Sequence, residues 1–330
     1  MIQLEKKRLN AIFNNFSGKK VLVFGDLMLD RYFWGDVSRI SPEAPVPVVE
    51  ITQEFSRLGG AANVGNNIDS LGGMPYLVGL VGQDNMGKEV LTLLKEKNLP
   101  KDGIVVDSSR PTTVKTRVIA NGQHVVRTDR ESRKPIDLAT QKRVETTLQA
   151  LIPQMDAVII EDYNKGLIVR DLIQVAIRTA REHNVPILVD PKFDNFLEYR
   201  EVTVFKPNIR EAEAALGRRL SGQEELEEAG RWLLKKLQPK WLLITLGEKG
   251  MAVFEDEKEA RYISSRARKV RDVSGAGDTV ISTLAMALVS GATFVEAAAL
   301  ANRAAGIVCG EVGIVPIDRE KLRQDLEEAG

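Results

Sequence analysis

The 330-residue chain has few side chains that bind metals or form cross-links: one cysteine, Cys309, and two histidines, His124 and His183. A lone cysteine excludes a disulfide within these residues and any cysteine-rich metal site, and two histidines make a histidine-based zinc site a poor expectation. His124 falls on an extended segment and His183 in a loop after a helix. Net charge is absent too, with Lys plus Arg and Asp plus Glu at 46 each. No global field therefore draws the chain to nucleic acid or to an anionic membrane surface. Neither a signal-peptide pattern nor an apolar run long enough to span a bilayer is present, so the expected location is the cytoplasm. The length suits one large α/β domain or two ordinary ones, either able to bury a sizeable core.

What is present begins with Asp272-Val273-Ser274-Gly275-Ala276-Gly277-Asp278-Thr279. Val280, Ile281, Leu284, Ala285 and Leu288 recur at helical spacing just downstream, so a helix starts close to Gly275–Gly277. Its free N–H groups and positive dipole end face whatever sits there, and an anion is the natural guest. Glycine lets a phosphate approach the backbone, and Asp278 is placed to accept a proton from an attacking hydroxyl. The plainer alternative is a glycine turn followed by an acid in the first helical turn.

Short β-branched runs at Val21–Phe24, Ala157–Ile160, Ile187–Val189, Val202–Phe205 and Trp241–Thr245 alternate with helical patterns such as Asp171–Glu182. This rhythm predicts an α/β fold with a doubly wound, largely parallel sheet flanked by helices, whose ligand crevice lies at the carboxyl ends of the strands. Two segments break it. Residues 31–52 are extended and carry aromatics and proline, while Thr113–Ala120, the turn pair Asn121-Gly122 and Gln123–Arg130 predict a hairpin. Together they predict a small β-sheet lid, segments about 31–52 and 112–130, inserted in a single domain over 1–330. Gly82-Gln83-Asp84-Asn85-Met86-Gly87-Lys88 has P-loop spacing, but Glu89 stands where Ser or Thr would hold Mg²⁺, so the motif is rejected.

Three motifs in order resemble those of the ribokinase-like (PfkB) sugar kinases: Gly59-Gly60-Ala61-Ala62-Asn63, Asn208-Ile209-Arg210-Glu211 and the Gly275–Asp278 run. The resemblance covers essentially the whole chain. It implies ATP-dependent phosphorylation of a sugar, with Asp278 as base and Gly275, Ala276 and Gly277 as the anion hole. It implies that Asn208 and Glu211 organise Mg²⁺ and the nucleotide phosphates, Glu211 through water, since Mg²⁺ prefers few protein ligands. Taken alone, Asn208 and Glu211 also fit a helix capping box. Thr245 and Gly247, in a glycine-bounded turn that would also suit a hairpin into Met251–Phe254, are expected against the ATP ribose and phosphates. Asn302, on the helix Val295–Val308, is expected at the adenine. Lys192, after the strand Ile187–Val189, is expected at a phosphoryl group. For the sugar the resemblance implies Asp30 and Asn63 on hydroxyls, with Gly59 and Gly60 letting the backbone come close. Asp26 competes with Asp30, and one of the two caps a local turn instead. A Gly-x-Asp-x-x-Gly turn matching Gly82, Asp84 and Gly87 is expected as a structural joint.

Residues 25–48 and Lys115–Ala120 further resemble heptose kinases of lipopolysaccharide and surface-glycan precursor synthesis. This implies phosphorylation of D-glycero-D-manno-heptose 7-phosphate at O1, with Arg31, Arg39, Lys115, Arg117 and Arg127 as candidates for the distal phosphate and Arg117 the chosen one. A kinase for another sugar or nucleoside is the alternative. Phe193 departs from the pattern, where glycine is expected after Asp190-Pro191-Lys192. No His-x-Gly-His run of a nucleotidyltransferase occurs, so a kinase-only form is expected. The resemblance also implies a homodimer through the lid and leaves a need for a monovalent cation open.

Overall fold

The computed structural model describes residues 5–257, 259–265 and 270–328. Its strands are β1 (Lys20–Gly25), β2 (Leu27–Ile40), β3 (Pro47–Gly60), β4 (Met74–Gly82), β5 (Ile104–Asp107), β6 (Thr113–Ala120), β7 (Gln123–Arg130), β8 (Ala157–Glu161), β9 (Ile187–Asp190), β10 (Val204–Phe205), β11 (Trp241–Thr245), β12 (Met251–Phe254) and β13 (Arg261–Ile263). The helices are α1 (Lys6–Asn14), α2 (Ala61–Ser70), α3 (Asn85–Glu96), α4 (Leu138–Leu151), α5 (Arg170–Glu182), α6 (Ile209–Leu216), α7 (Gln223–Leu237), α8 (Ala276–Val289), α9 (Phe294–Val308) and α10 (Arg319–Glu327). None among the described residues is long and apolar enough to cross a membrane.

The larger sheet runs β13-β12-β11-β10-β9-β8-β1-β4-β5, parallel from β11 through β5 and antiparallel at β12 and β13. This is the expected doubly wound arrangement of the ribokinase-like fold. The reason is visible in β1, where successive apolar residues serve opposite layers. Val21 and Val23 join the cluster built with α2, α8 and α9, while Leu22 and Phe24 join the cluster built with α4, α5 and α7. With both faces covered, the strands read as continuous apolar runs, and polar residues collect at their carboxyl ends.

Two predicted boundaries shift. Of Val202–Phe205 only Val204–Phe205 is strand. The hydroxyl of Thr203 accepts the Ile187 N–H at 2.9 Å, so a side chain replaces a ladder acceptor just before β10 begins. The lid is also longer than residues 31–52. Strands β2 and β3 pair antiparallel from Leu27 opposite Gly60 to Ile40 opposite Pro47, with β6 parallel to β2 and β7 antiparallel to β6. The lid strands thus start inside the core: Leu27, Leu29 and Leu58 belong to its buried cluster. The Asn121-Gly122 turn joins β6 to β7 with positive φ at both residues (50° and 75°), as a type I′ turn requires.

The rejected P-loop is the joint between lid and core. Asp84 caps α3 by accepting the Gly87 N–H at 2.8 Å, and it also accepts from the Thr112 hydroxyl at 2.7 Å and the Thr112 N–H at 3.1 Å, one residue before β6. A Cβ on Gly87 would lie 2.2 Å from the carbonyl oxygen of Gly82, so both glycines are fixed by close approach of backbone. Asp84→Ala removes the cap and the lid anchor together. It is expected to lower unfolding stability by about 2 kcal/mol in a urea titration, and a loss below about 0.5 kcal/mol would mean that β6 is held by other contacts.

Candidate active site

Strands β1, β8, β9 and β11 end at Gly25, Glu161, Asp190 and Thr245, and Lys206 and Asn208 follow β10, so the carboxyl edge of the sheet is lined with polar groups. Parallel register sets Gly25 beside Glu161 and Glu161 beside Asp190. Helix α8 points its N-terminus at this edge. Its N-cap Gly275 has φ 78°, a left-handed conformation that favours glycine, and a Cβ there would come within 3.0 Å of Asn63 Nδ2. Among the described residues the amides of Gly275 and Gly277 are not engaged by any hydrogen bond, whereas that of Ala276 is donated to the Val273 carbonyl at 3.2 Å. Of the three amides expected to face an anion, two are therefore available.

Asp278 lies in the first turn of α8 and is buried. Its Oδ2 accepts from Asn63 Nδ2 at 2.7 Å and its Oδ1 from the Tyr163 hydroxyl at 2.7 Å. Burial is the main cause that pushes its pKa up to about 6, with Asp190 and Asp30 adding to it, against the pull of the two hydrogen bonds. A carboxylate held near neutrality is suited to taking a proton from a hydroxyl.

Around it the carboxyl edge is strongly acidic. Glu161 is buried, raised well above the ordinary carboxylate range by burial and then by Asp190 and Asp278, and its Oε2 has no hydrogen-bond partner. Asp190 is paired with the buried Lys206 at 2.7 Å. Glu211 is paired with Lys192. Burial opposes the charge on Lys192, but Asp190 and Glu211 outweigh it and raise its pKa, so the ammonium is fully charged. The predicted metal pair forms a capping box on α6: Asn208 Oδ1 accepts the Glu211 N–H at 2.9 Å and Glu211 Oε2 accepts the Asn208 N–H at 2.8 Å. No three described acidic, histidine or cysteine side chains converge as metal ligands. Four carboxylates against two ammonium groups, one carboxylate oxygen being orphaned, nevertheless fit a divalent cation that takes few protein ligands and several phosphate or water oxygens.

The remaining expected residues divide by partner. Asp30 is buried and ion-paired with the buried Arg117, whose guanidinium also lies 5.3 Å from the Tyr32 ring centroid. Gly59 makes room for this pair, since a Cβ would stand 1.9 Å from Asp30 Oδ2, and Gly60 (φ 56°) turns β3 into α2 against the Asp26 carbonyl. Asn63 is bound to Asp278. Asp26 is the turn cap: its Oδ2 accepts the N–H groups of Tyr163 at 2.9 Å and Lys165 at 3.1 Å. Arg31 is paired with Glu54, Arg127 with Asp129, and Arg39 is exposed. Thr245 donates its N–H to the Pro207 carbonyl, which ties the end of β11 to the Asn208 turn. Gly247 has φ 61° with nothing near its missing Cβ, so that turn is open to solvent. Asn302 donates to the Ser264 carbonyl at 2.9 Å. Phe193 is exposed beside Lys192.

Tyr163 escaped the sequence reading. It lies two residues beyond the end of β8, in a run without a motif, and only the hydrogen bond to Asp278 marks it.

The chain belongs to the pfkB family of carbohydrate kinases, whose model matches residues 18–319. It is thus a carbohydrate kinase, and its fold is ribokinase-like. It is 42% identical over 313 residues to the bifunctional protein HldE of Desulfatibacillum aliphaticivorans, covering 95% of this chain and 64% of that one. With HldE of Geobacter sulfurreducens it shares 43% over 310 residues, covering 94% and 63%. The chain spans a little under two thirds of the length of these relatives. Among solved structures, Arabidopsis thaliana ribokinase complexed with ribose and ATP superposes with a TM-score of 0.73 at 20% identity, covering 94% of this chain and 99% of that one. Escherichia coli phosphofructokinase-2 in complex with potassium gives 0.76 at 16%, with the same coverage.

A base at Asp278, whose pKa is pushed up to about 6, would act in its ionised form, so kcat/KM is expected to rise with pH through about 6 and to level off above it. A flat profile from pH 5 to 8 would separate Asp278 from the proton transfer. Asp278→Asn is expected to cut kcat by roughly 10²–10⁴-fold while leaving ATP binding within a few-fold, measured by coupled ADP release and by titration calorimetry.

Proposed function

We propose that this kinase phosphorylates D-glycero-D-manno-heptose 7-phosphate at O1, giving the 1,7-bisphosphate, in the making of nucleotide-activated heptose for lipopolysaccharide or surface glycan. The observation that carries this reading is the polarity of the crevice. Acidic groups gather around Asp278, and Lys115 brings a positive charge to the tyrosine ring beside it. Lys115 lies on β6 with its Nζ 5.0 Å from the ring centroid of Tyr163, whose hydroxyl bonds Asp278. Among the described residues it has no carboxylate partner. Burial is the main cause that lowers its pKa; Asp30 opposes it, and Lys165, Arg117 and Arg127 add to the lowering. A substrate with a hydroxyl at one end and a phosphate at the other matches both halves, and the phosphate would relieve the crowded positive charge. The resemblance of residues 25–48 to heptose kinases and the similarity to HldE support the same substrate.

In this reading Asp278 accepts the proton of the attacking hydroxyl. The amides of Gly275 and Gly277, with Lys192, face the phosphoryl group in transit and balance its charge. Glu161, Asp190 and Glu211 with Asn208 would hold Mg²⁺, Glu211 through water, and the metal would supply charge neutralisation on the phosphates. Thr245, Gly247 and Asn302 would line the nucleotide. Asp30 and Asn63 keep free acceptor capacity toward sugar hydroxyls beyond the partners they already have. The lid strands exclude water, which would otherwise compete as acceptor. The exposed Ile40, Val46, Ile51, Val125 and Val126 on the lid fit a second copy of the chain as a homodimer.

The test is ADP release with Mg²⁺ and a panel of D-glycero-D-manno-heptose 7-phosphate, the unphosphorylated heptose, ribose, fructose 6-phosphate and adenosine. Selectivity for the heptose phosphate is expected, and better turnover of another member would discard this substrate while keeping the chemistry. Lys115→Met is expected to raise KM for the phosphorylated heptose by about tenfold or more, the loss of one charge-assisted contact, and to leave the unphosphorylated heptose unaffected. Equal effects on both sugars would remove Lys115 from phosphate recognition.

A further inference from the structure

We infer that Tyr163 is a positioning residue for the catalytic base, holding the Asp278 carboxylate in its reacting orientation and joining it to the lid through Lys115. The inference rests on the reading of Asp278 as base. The geometry runs through three contacts on one side chain. Its hydroxyl donates to Asp278 Oδ1 at 2.7 Å, and its ring centroid lies 5.0 Å from Lys115 Nζ and 5.3 Å from Lys192 Nζ. One tyrosine thus touches the base, the lid cation and the cation expected at the transferring phosphoryl group.

The backbone that presents Tyr163 is held by side-chain carboxylates. Asp26 Oδ2 accepts its N–H and that of Lys165, while Asp162 Oδ1 accepts the Asn164 N–H at 2.8 Å. Asp162 is itself held by the Tyr199 hydroxyl at 2.6 Å and by Asn195 Nδ2 at 3.0 Å. Two buried carboxylates therefore serve to hold a four-residue turn. Such a cost in desolvation makes sense if the turn must set one side chain to within a fraction of an ångström.

The phenol hydroxyl is the donor and the carboxylate oxygen the acceptor. The two donors on Asp278 approach different oxygens, Asn63 from α2 and Tyr163 from the loop after β8, and they fix the plane of the carboxylate. A hydroxyl bond to a carboxylate also favours its charged form, which Asp190, Asp30 and Glu161 disfavour.

The experiment compares wild type, Tyr163→Phe, Asp278→Asn and the double variant in the full chain, with whichever panel sugar wild type turns over best. The choice of sugar separates this test from the substrate reading. Tyr163→Phe keeps the ring under both lysines and is expected to lower kcat roughly ten- to hundredfold, with KM for the sugar within about twofold. Its acid limb is expected to move to higher pH, because the carboxylate that loses a donor keeps its proton longer. In the Asp278→Asn background the same change is expected to add no further loss. Wild-type kcat with an unshifted acid limb would overturn the inference. So would a change confined to KM, which makes Tyr163 a substrate contact, or independent losses that multiply in the double variant. If Asp278→Asn alone keeps near-normal turnover, the base assignment fails, and the positioning role with it. A thermal melt of Tyr163→Phe is expected to stay within a few degrees of wild type, and a tyrosine that served only to stabilise the fold would lower the melt without moving the acid limb.

Discussion

The constraint on which the site depends is the burial of the Asp278 carboxylate among other acids. A charge taken from water costs several kcal/mol unless it is bonded, and here Asp190, Asp30 and Glu161 raise the cost further. Two charge-assisted hydrogen bonds, each worth about 1.5–3 kcal/mol, offset much of this but not all, which is why the group sits near neutrality rather than in the ordinary carboxylate range. The same balance explains the neighbours. Lys192 and Lys206 are each committed to an acid, Glu211 and Asp190, so the edge of the sheet stays charged without collapsing onto a single pair. A carboxylate that is both poised and immobile follows from this arrangement of donors and acids.

The parts of the site legible in the sequence are those that local geometry decides. Gly275–Asp278 announced itself because a glycine N-cap before an apolar helix has few readings, and the strand ends because parallel strands buried on both faces leave polarity only at their termini. The hairpin turn at Asn121-Gly122 was legible for the same reason. Asn208 and Glu211 showed the limit of such reasoning, since the spacing that suits a metal also suits a capping box, and the capping box is formed.

What escaped was set by contacts across long stretches of chain. Nothing around Tyr163 predicts its place, because that place depends on Asp26, 137 residues earlier, and on Asp278, 115 residues later. The commitment of Arg117 to Asp30 likewise follows from β6 lying beside β2. Among the described residues this leaves Lys115, half-buried on β6, without a carboxylate partner. The lid boundaries were drawn short because the lid strands run on into the core, where Leu27, Leu29 and Leu58 are core strand and lid at once.

That continuity has a mechanical meaning. A single residue, Asp26, separates the end of β1 from the start of β2, and β3 passes into α2 with no intervening loop. The lid is a cantilever clamped at its root. At the β2–β3 root it has no slack segment about which to swing, so travel there is limited to the elastic bend and twist of a paired ribbon. The clamp is also wired: the residue at the root is the one that holds the backbone of the Tyr163 loop. A load applied at the free end is delivered at the fixed end, to the turn beside Asp278.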